Sequence, residues 1–123
     1  MQPPAAMTAV VYWLESFDPH AAQAVRTVLA NYERQRRAGV PQPSRETCVW
    51  AYLGETHGMN LLNQAQTVYR HASARFQAWN NRRRQYETLL RRFETDIHRW
   101  GEHDSRTQRT RSRLEHLQVQ MMV

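Results

Sequence analysis

Every permanently positive side chain in this sequence, seventeen in all, is an arginine, and no lysine occurs in its 123 residues. Arginine offers five N–H donors in a planar fork. It grips phosphate or carboxylate through two bonds at once and stacks on aromatic rings, which an ammonium group does less well. A GC-rich genome would by itself replace lysine with arginine, so placement carries more information than identity. Residues 1–69 hold five arginines (Arg26, Arg34, Arg36, Arg37, Arg45) against five acids. Residues 70–123 hold twelve against six, and so carry the whole net charge of +6. A one-sided basic excess predicts an anionic partner for the C-terminal half.

Other chemistry has less support. The six histidines (His20, His57, His71, His98, His103, His116) show no metal-ligand spacing. Glu94 and His98 share a helix face, and Glu102-His103-Asp104 would need ligands from elsewhere to hold a metal. The single cysteine, Cys48, lies among apolar residues and excludes an internal disulfide. The four glycines stand apart, so there is no glycine-rich phosphate loop. No catalytic residue, metal, cofactor or small-molecule substrate is expected, and the chain reads as a non-enzyme. A helix-turn-helix fails because the stretch from Gly54 to Thr67 is too long for the turn.

An all-α fold is expected to position the arginines, as one helical domain over residues 1–123 with a head at 1–58. Its first helix (8–17), with Thr8 as cap, places Ala9, Val10, Trp13, Leu14 and Phe17 at helical spacing. The run Val10-Val11-Tyr12-Trp13 also has strand composition. Asp18 as N-cap and Pro19 as first residue open a second helix (19–37), which Gly39 ends. Ser44 caps a third (44–56).

From residue 60 to residue 100 neither proline nor glycine interrupts, and Leu62, Ala65, Tyr69, Ala72, Phe76, Trp79, Arg83, Tyr86, Leu90, Phe93, Ile97 and Trp100 alternate steps of three and four. That is a heptad repeat over nearly six heptads. It predicts one helix of ~60 Å at ~1.5 Å per residue, longer than a compact chain of this size is wide. With Leu62 at position a, the d column reads Ala65, Ala72, Trp79, Tyr86, Phe93, Trp100. Arg83 is the one charged residue in the seam, and the simplest reading is that the seam is exposed there. Ser105 and Gln108 form a capping box for a return helix (105–121). Leu114, Leu117 and Met121 of that helix dock, and its first turns are expected to have nothing to bury.

On this frame Arg70, Arg84, Arg91, Arg92 and Arg99 fall at positions b and c, and Arg75 and Arg82 at g. Together with Arg83, and with Arg109, Arg111 and Arg113 of the return helix, they form the expected anion-binding set. Evenly spaced arginines suit contact with a phosphate backbone, DNA or RNA. The competing expectation is an assembly or adaptor protein (of a secretion apparatus, a phage or virus particle, or a regulatory complex). It would bind a helical partner, or a second copy of itself, through Phe76, Trp79, Tyr86, Leu90, Phe93, Ile97 and Trp100. The apolar run Ala5–Leu14 lacks the flanks of a signal peptide, and no apolar stretch approaches the ~18–20 residues of a membrane span. The cytoplasm, or the interior of a host cell, is the expected location.

Overall fold

The computed structural model describes residues 2–122, which form five helices: α1 (Ala6–Glu15), α2 (Pro19–Arg37), α3 (Arg45–His57), α4 (Met59–Trp100) and α5 (Ser105–Met122). No strand occurs among the described residues, and the protein is all-α with one long helix, as its periodicity predicts. The ambiguous first segment is helical, because Met7, Val10, Val11 and Leu14 fall on one face and all four are buried. It begins at Ala6, ahead of Thr8, and no side chain caps it.

Local chemistry sets the remaining helix ends. The Asp18 carboxylate accepts the Ala21 N–H at 3.0 Å, and Pro19 occupies the first turn, where its missing donor costs nothing. At the other end of α2, Gly39 takes a φ of +78°. The N–H groups of Gly39 and Val40 return to the carbonyls of Arg36 (3.1 Å) and Gln35 (3.0 Å), a Schellman closure. Ser44 Oγ accepts the Thr47 N–H at 3.1 Å to open α3. One residue, Gly58, separates α3 from α4, with φ 86° and ψ 172°, a region open essentially to glycine alone.

Two compact units divide the chain. The first comprises Pro4–Ala74 and therefore includes the start of α4. Val10, Leu14, Ala22, Val25, Val49, Leu53 and Ala65 form its fully buried centre, with Trp13, Trp50, Tyr52 and Tyr69 packed around them. Gly54 lets α3 approach α4, since a Cβ there would sit 3.2 Å from Leu62 Cδ2. Tyr69 meets Trp50 edge to face at 5.4 Å and donates its hydroxyl to Glu46 Oε1 at 3.4 Å. Burial and the neighbouring Glu46 carboxylate push the Tyr69 phenol above its ordinary pKa.

The second unit comprises the described residues from Arg75 onward, with residues 2 and 3. It is a helical hairpin: α4 stops at Gly101 (φ +88°), and α5 returns antiparallel to it. The expected Ser105/Gln108 capping box does not form. Asp104 Oδ1 accepts the Arg106 N–H at 2.9 Å instead, and the Gln108 side chain donates to the Glu102 carbonyl at 2.7 Å. An aspartate one residue earlier brings a full negative charge to the positive end of α5, which a serine lacks.

The return helix also corrects a second expectation. Its first turns do bury side chains, for Thr107 (0% exposed), Thr110 (3%), Leu114 and Leu117 make one seam alternating steps of three and four. The threonines can be buried because α4 supplies their partners. Thr110 Oγ1 donates to Asp96 Oδ2 at 2.8 Å, and Thr107 Oγ1 to the Asp96 carbonyl at 3.4 Å. Asp96 itself is only 5% exposed.

Candidate anion-binding site

The face of α4 that receives α5 is not the whole of the expected seam. Trp79 and Tyr86 lie beside Gln118 and Met121, Leu89 lies beside Leu117, and Asp96 meets Thr107 and Thr110. These α4 residues belong to the d column and to the g column before it, which also alternate by three and four. Trp79, Tyr86, Phe93 and Trp100 are accordingly half-buried, whereas Leu90 (37%) and Ile97 (36%) of the a column are exposed, although Phe76 of that column is half-buried. Counting apolar residues favours a over g, because g contains Asp96. The buried hydroxyls of α5 reverse that preference by satisfying the carboxylate where it would otherwise be costly.

This register gathers the arginines of both helices at the end of the hairpin near the turn. Arg92, Asp96 and Trp100 are successive i+4 neighbours on α4, and Arg106, Arg109, Thr110 and Arg113 share one face of α5. Together they line an open cleft of about 130 Å³. Arg106 lies 3.9 Å from the Trp100 ring centroid and is held there by Asp104, through Nε to Oδ1 at 3.1 Å and Nη2 to Oδ2 at 3.4 Å. These bonds hold the Asp104 carboxyl below its usual pKa. Arg92, Arg109 and Arg113 make no ion pair with any described residue.

The other expected anion-binding residues sort clearly. Arg75, Arg82, Arg84 and Arg91 are exposed and unpaired among the described residues. Arg83, in the middle of its triplet, is also exposed but engaged: it bonds Asn80 Oδ1 at 3.0 Å, lies 4.0 Å from Glu87 and covers the Trp79 ring at 5.4 Å. Arg99 lies over Trp100 at 5.5 Å, and Arg111 pairs with Glu115 at 3.2 Å. Arg70 belongs to the first unit and bonds Thr67.

Sequence reasoning missed Arg106, Asp96 and Thr110. The signal for them was the hairpin itself: residues shortly before the turn at 101–104, such as Asp96, come to face residues shortly after it, such as Thr107 and Thr110, once α5 folds back.

No protein-family model, curated protein or solved structure matches this chain.

Among the described residues no cluster of His, Cys, Asp and Glu could hold a metal ion, and no helix is long and apolar enough to cross a membrane.

Proposed function

We propose that the protein is a non-enzymatic, intracellular nucleic-acid-binding protein, and that its C-terminal hairpin makes the contact through phosphates and without base recognition. The observation that carries this reading is the surplus of unpaired arginines on one unit. From Arg75 onward eleven arginines face six acids, and Arg75, Arg82, Arg84, Arg91, Arg92, Arg109 and Arg113 make no ion pair with any described residue. A solvated helix face stabilised by its own charges would pair most of them across i,i+4 steps. The unpaired ones instead project a field that attracts phosphates and displaces their counterions.

Affinity for a duplex, measured by fluorescence anisotropy across a salt series, should then fall steeply with salt. Replacing Arg82 and Arg84 with alanine should lower the slope of log affinity against log salt by about 1.8, at ~0.9 per phosphate contact. Replacing Arg83, already occupied by Glu87 and Asn80, should change it less. Failure to bind either DNA or RNA at low salt refutes the reading.

A second reading rests on a separate face. Leu90 and Ile97 lie one heptad apart on α4 and are uncovered by α5, which favours a helical partner or a second copy there. The half-buried aromatics of the d column favour it less, since α5 already packs on them.

A further inference from the structure

We propose that the cleft between Arg92, Asp96 and Trp100 of α4 and Arg106, Arg109, Thr110 and Arg113 of α5 is a binding site for one tetrahedral dianion, the phosphate of a monoester. Charge is the first argument. Four guanidinium groups line the cleft, and the carboxylates beside them are those of Asp96 and Asp104. Set against these two carboxylates, the four guanidinium groups leave a deficit of two negative charges. A phosphate monoester carries about −1.5 to −2 at neutral pH and matches that deficit, whereas a backbone diester carries one charge and leaves half of it.

Size is the second argument. The cleft, about 130 Å³ and open to solvent, has room for a group of five heavy atoms. Pre-organisation is the third. Arg106 is fixed in place by Asp104 and the Trp100 ring, so it surrenders little side-chain freedom on binding. Asp96, although it lines the cleft, is turned to structural use: Thr110 takes its Oδ2, and no arginine nitrogen comes within 4.0 Å of it. Arg92, Arg109 and Arg113, which line the cleft from both helices, are therefore available to an incoming anion.

The site would serve either a strand that ends in a phosphate or a small free phosphate. It relies on the nucleic-acid reading only for the identity of that carrier. Calorimetry on the full chain at pH 8, with inorganic phosphate and with the monoanionic dimethyl phosphate, tests the site. Phosphate should bind at least tenfold more tightly than dimethyl phosphate. Arg109→Gln or Arg113→Gln should weaken it about tenfold. The pair Arg82→Gln/Arg84→Gln, outside the cleft, should leave it unchanged.

Anisotropy with otherwise identical 5′-phosphorylated and 5′-hydroxyl single strands identifies the carrier. A preference for the phosphorylated strand that Arg109→Gln abolishes assigns the site to strand ends. Equal binding of the two strands, with phosphate binding intact, assigns it to a small phosphate. A chain that binds phosphate but no nucleic acid refutes the previous reading and leaves the site standing. Absence of phosphate binding, equal affinity for dimethyl phosphate, or equal loss in the Arg82/Arg84 pair overturns the site.

Discussion

Replacing Thr110 by valine isolates the interaction that holds the hairpin in register. Valine has nearly the shape of threonine, so packing against Leu114 and Leu117 is retained and only the hydroxyl is lost. That hydroxyl donates to Asp96 Oδ2 at 2.8 Å, and Asp96 is 5% exposed, so water cannot easily take its place. A hydrogen bond to a charged, buried acceptor contributes ~1.5–3 kcal/mol. Thr107→Val is the internal comparison, since it removes a longer, 3.4 Å bond to a neutral backbone carbonyl and should cost under about 1 kcal/mol.

Native-state hydrogen exchange reads these losses within the hairpin itself. In Thr110→Val a loss of about 2 kcal/mol lowers amide protection around Leu114 and Leu117 by roughly 30-fold, while the amides of Val25 and Leu53 in the first unit keep theirs. Protection of α5 within about twofold of the parent chain in Thr110→Val, or a larger effect from Thr107→Val, refutes the assignment of Asp96 as the buried anchor.

Three further outcomes are expected. Gly58→Ala forces a side chain into a glycine-only region although nothing lies within 4 Å of the new Cβ, so it should cost about 1–3 kcal/mol from backbone strain alone, measured by urea unfolding. Tyr69 has a folded-state pKa raised above its ordinary value near 10, so its stabilising effect is complete below that pH and is lost as pH rises through the raised value. Thermal melts from pH 9 upward should therefore show a falling melting temperature that Tyr69→Phe flattens. Glutamate at both Leu90 and Ile97 should leave the hairpin folded, because both side chains are exposed. It should convert any oligomer seen by light scattering to monomer, and an unchanged mass would remove that face from consideration.

The sequence exposes helix boundaries well wherever the cap is local: Asp18-Pro19, Gly39 and Ser44 each act through residues at most five positions away. It exposes the heptad stripe of α4 for the same reason. What it hides is which pair of columns a later helix will cover. Leu90 and Ile97 read as seam residues because they are apolar, and Asp96 reads as surface because it is charged. The choice between them rests on Thr107 and Thr110, eleven and fourteen residues further on, whose meaning appears only when α5 is folded back. The arginine set is legible as a composition, but the subset that shares one cleft is not, since Arg92 and Arg113 meet only through that same fold-back.

The buried aspartate therefore has two consequences from one cause. An apolar seam of leucines and aromatics tolerates sliding by a turn, because one hydrophobic contact replaces another at similar energy. A carboxylate is less tolerant, since moving α5 by one turn in the direction that sets Asp96 against Leu114 would remove its threonine donor, at a cost of several kcal/mol. The Asp96–Thr110 bond thus favours the observed register, and that register sets Arg109 and Arg113 of α5 beside Arg92 of α4. Mutual repulsion among these guanidinium groups opposes the register, as like charges on adjacent turns do. The arrangement persists because Asp96 and Asp104 offset part of that repulsion and the threonines fix the rest of the geometry. Partial offset also preserves an unmet positive charge at the cleft, which a fully paired surface would have removed, and that unmet charge is what an anionic partner can use.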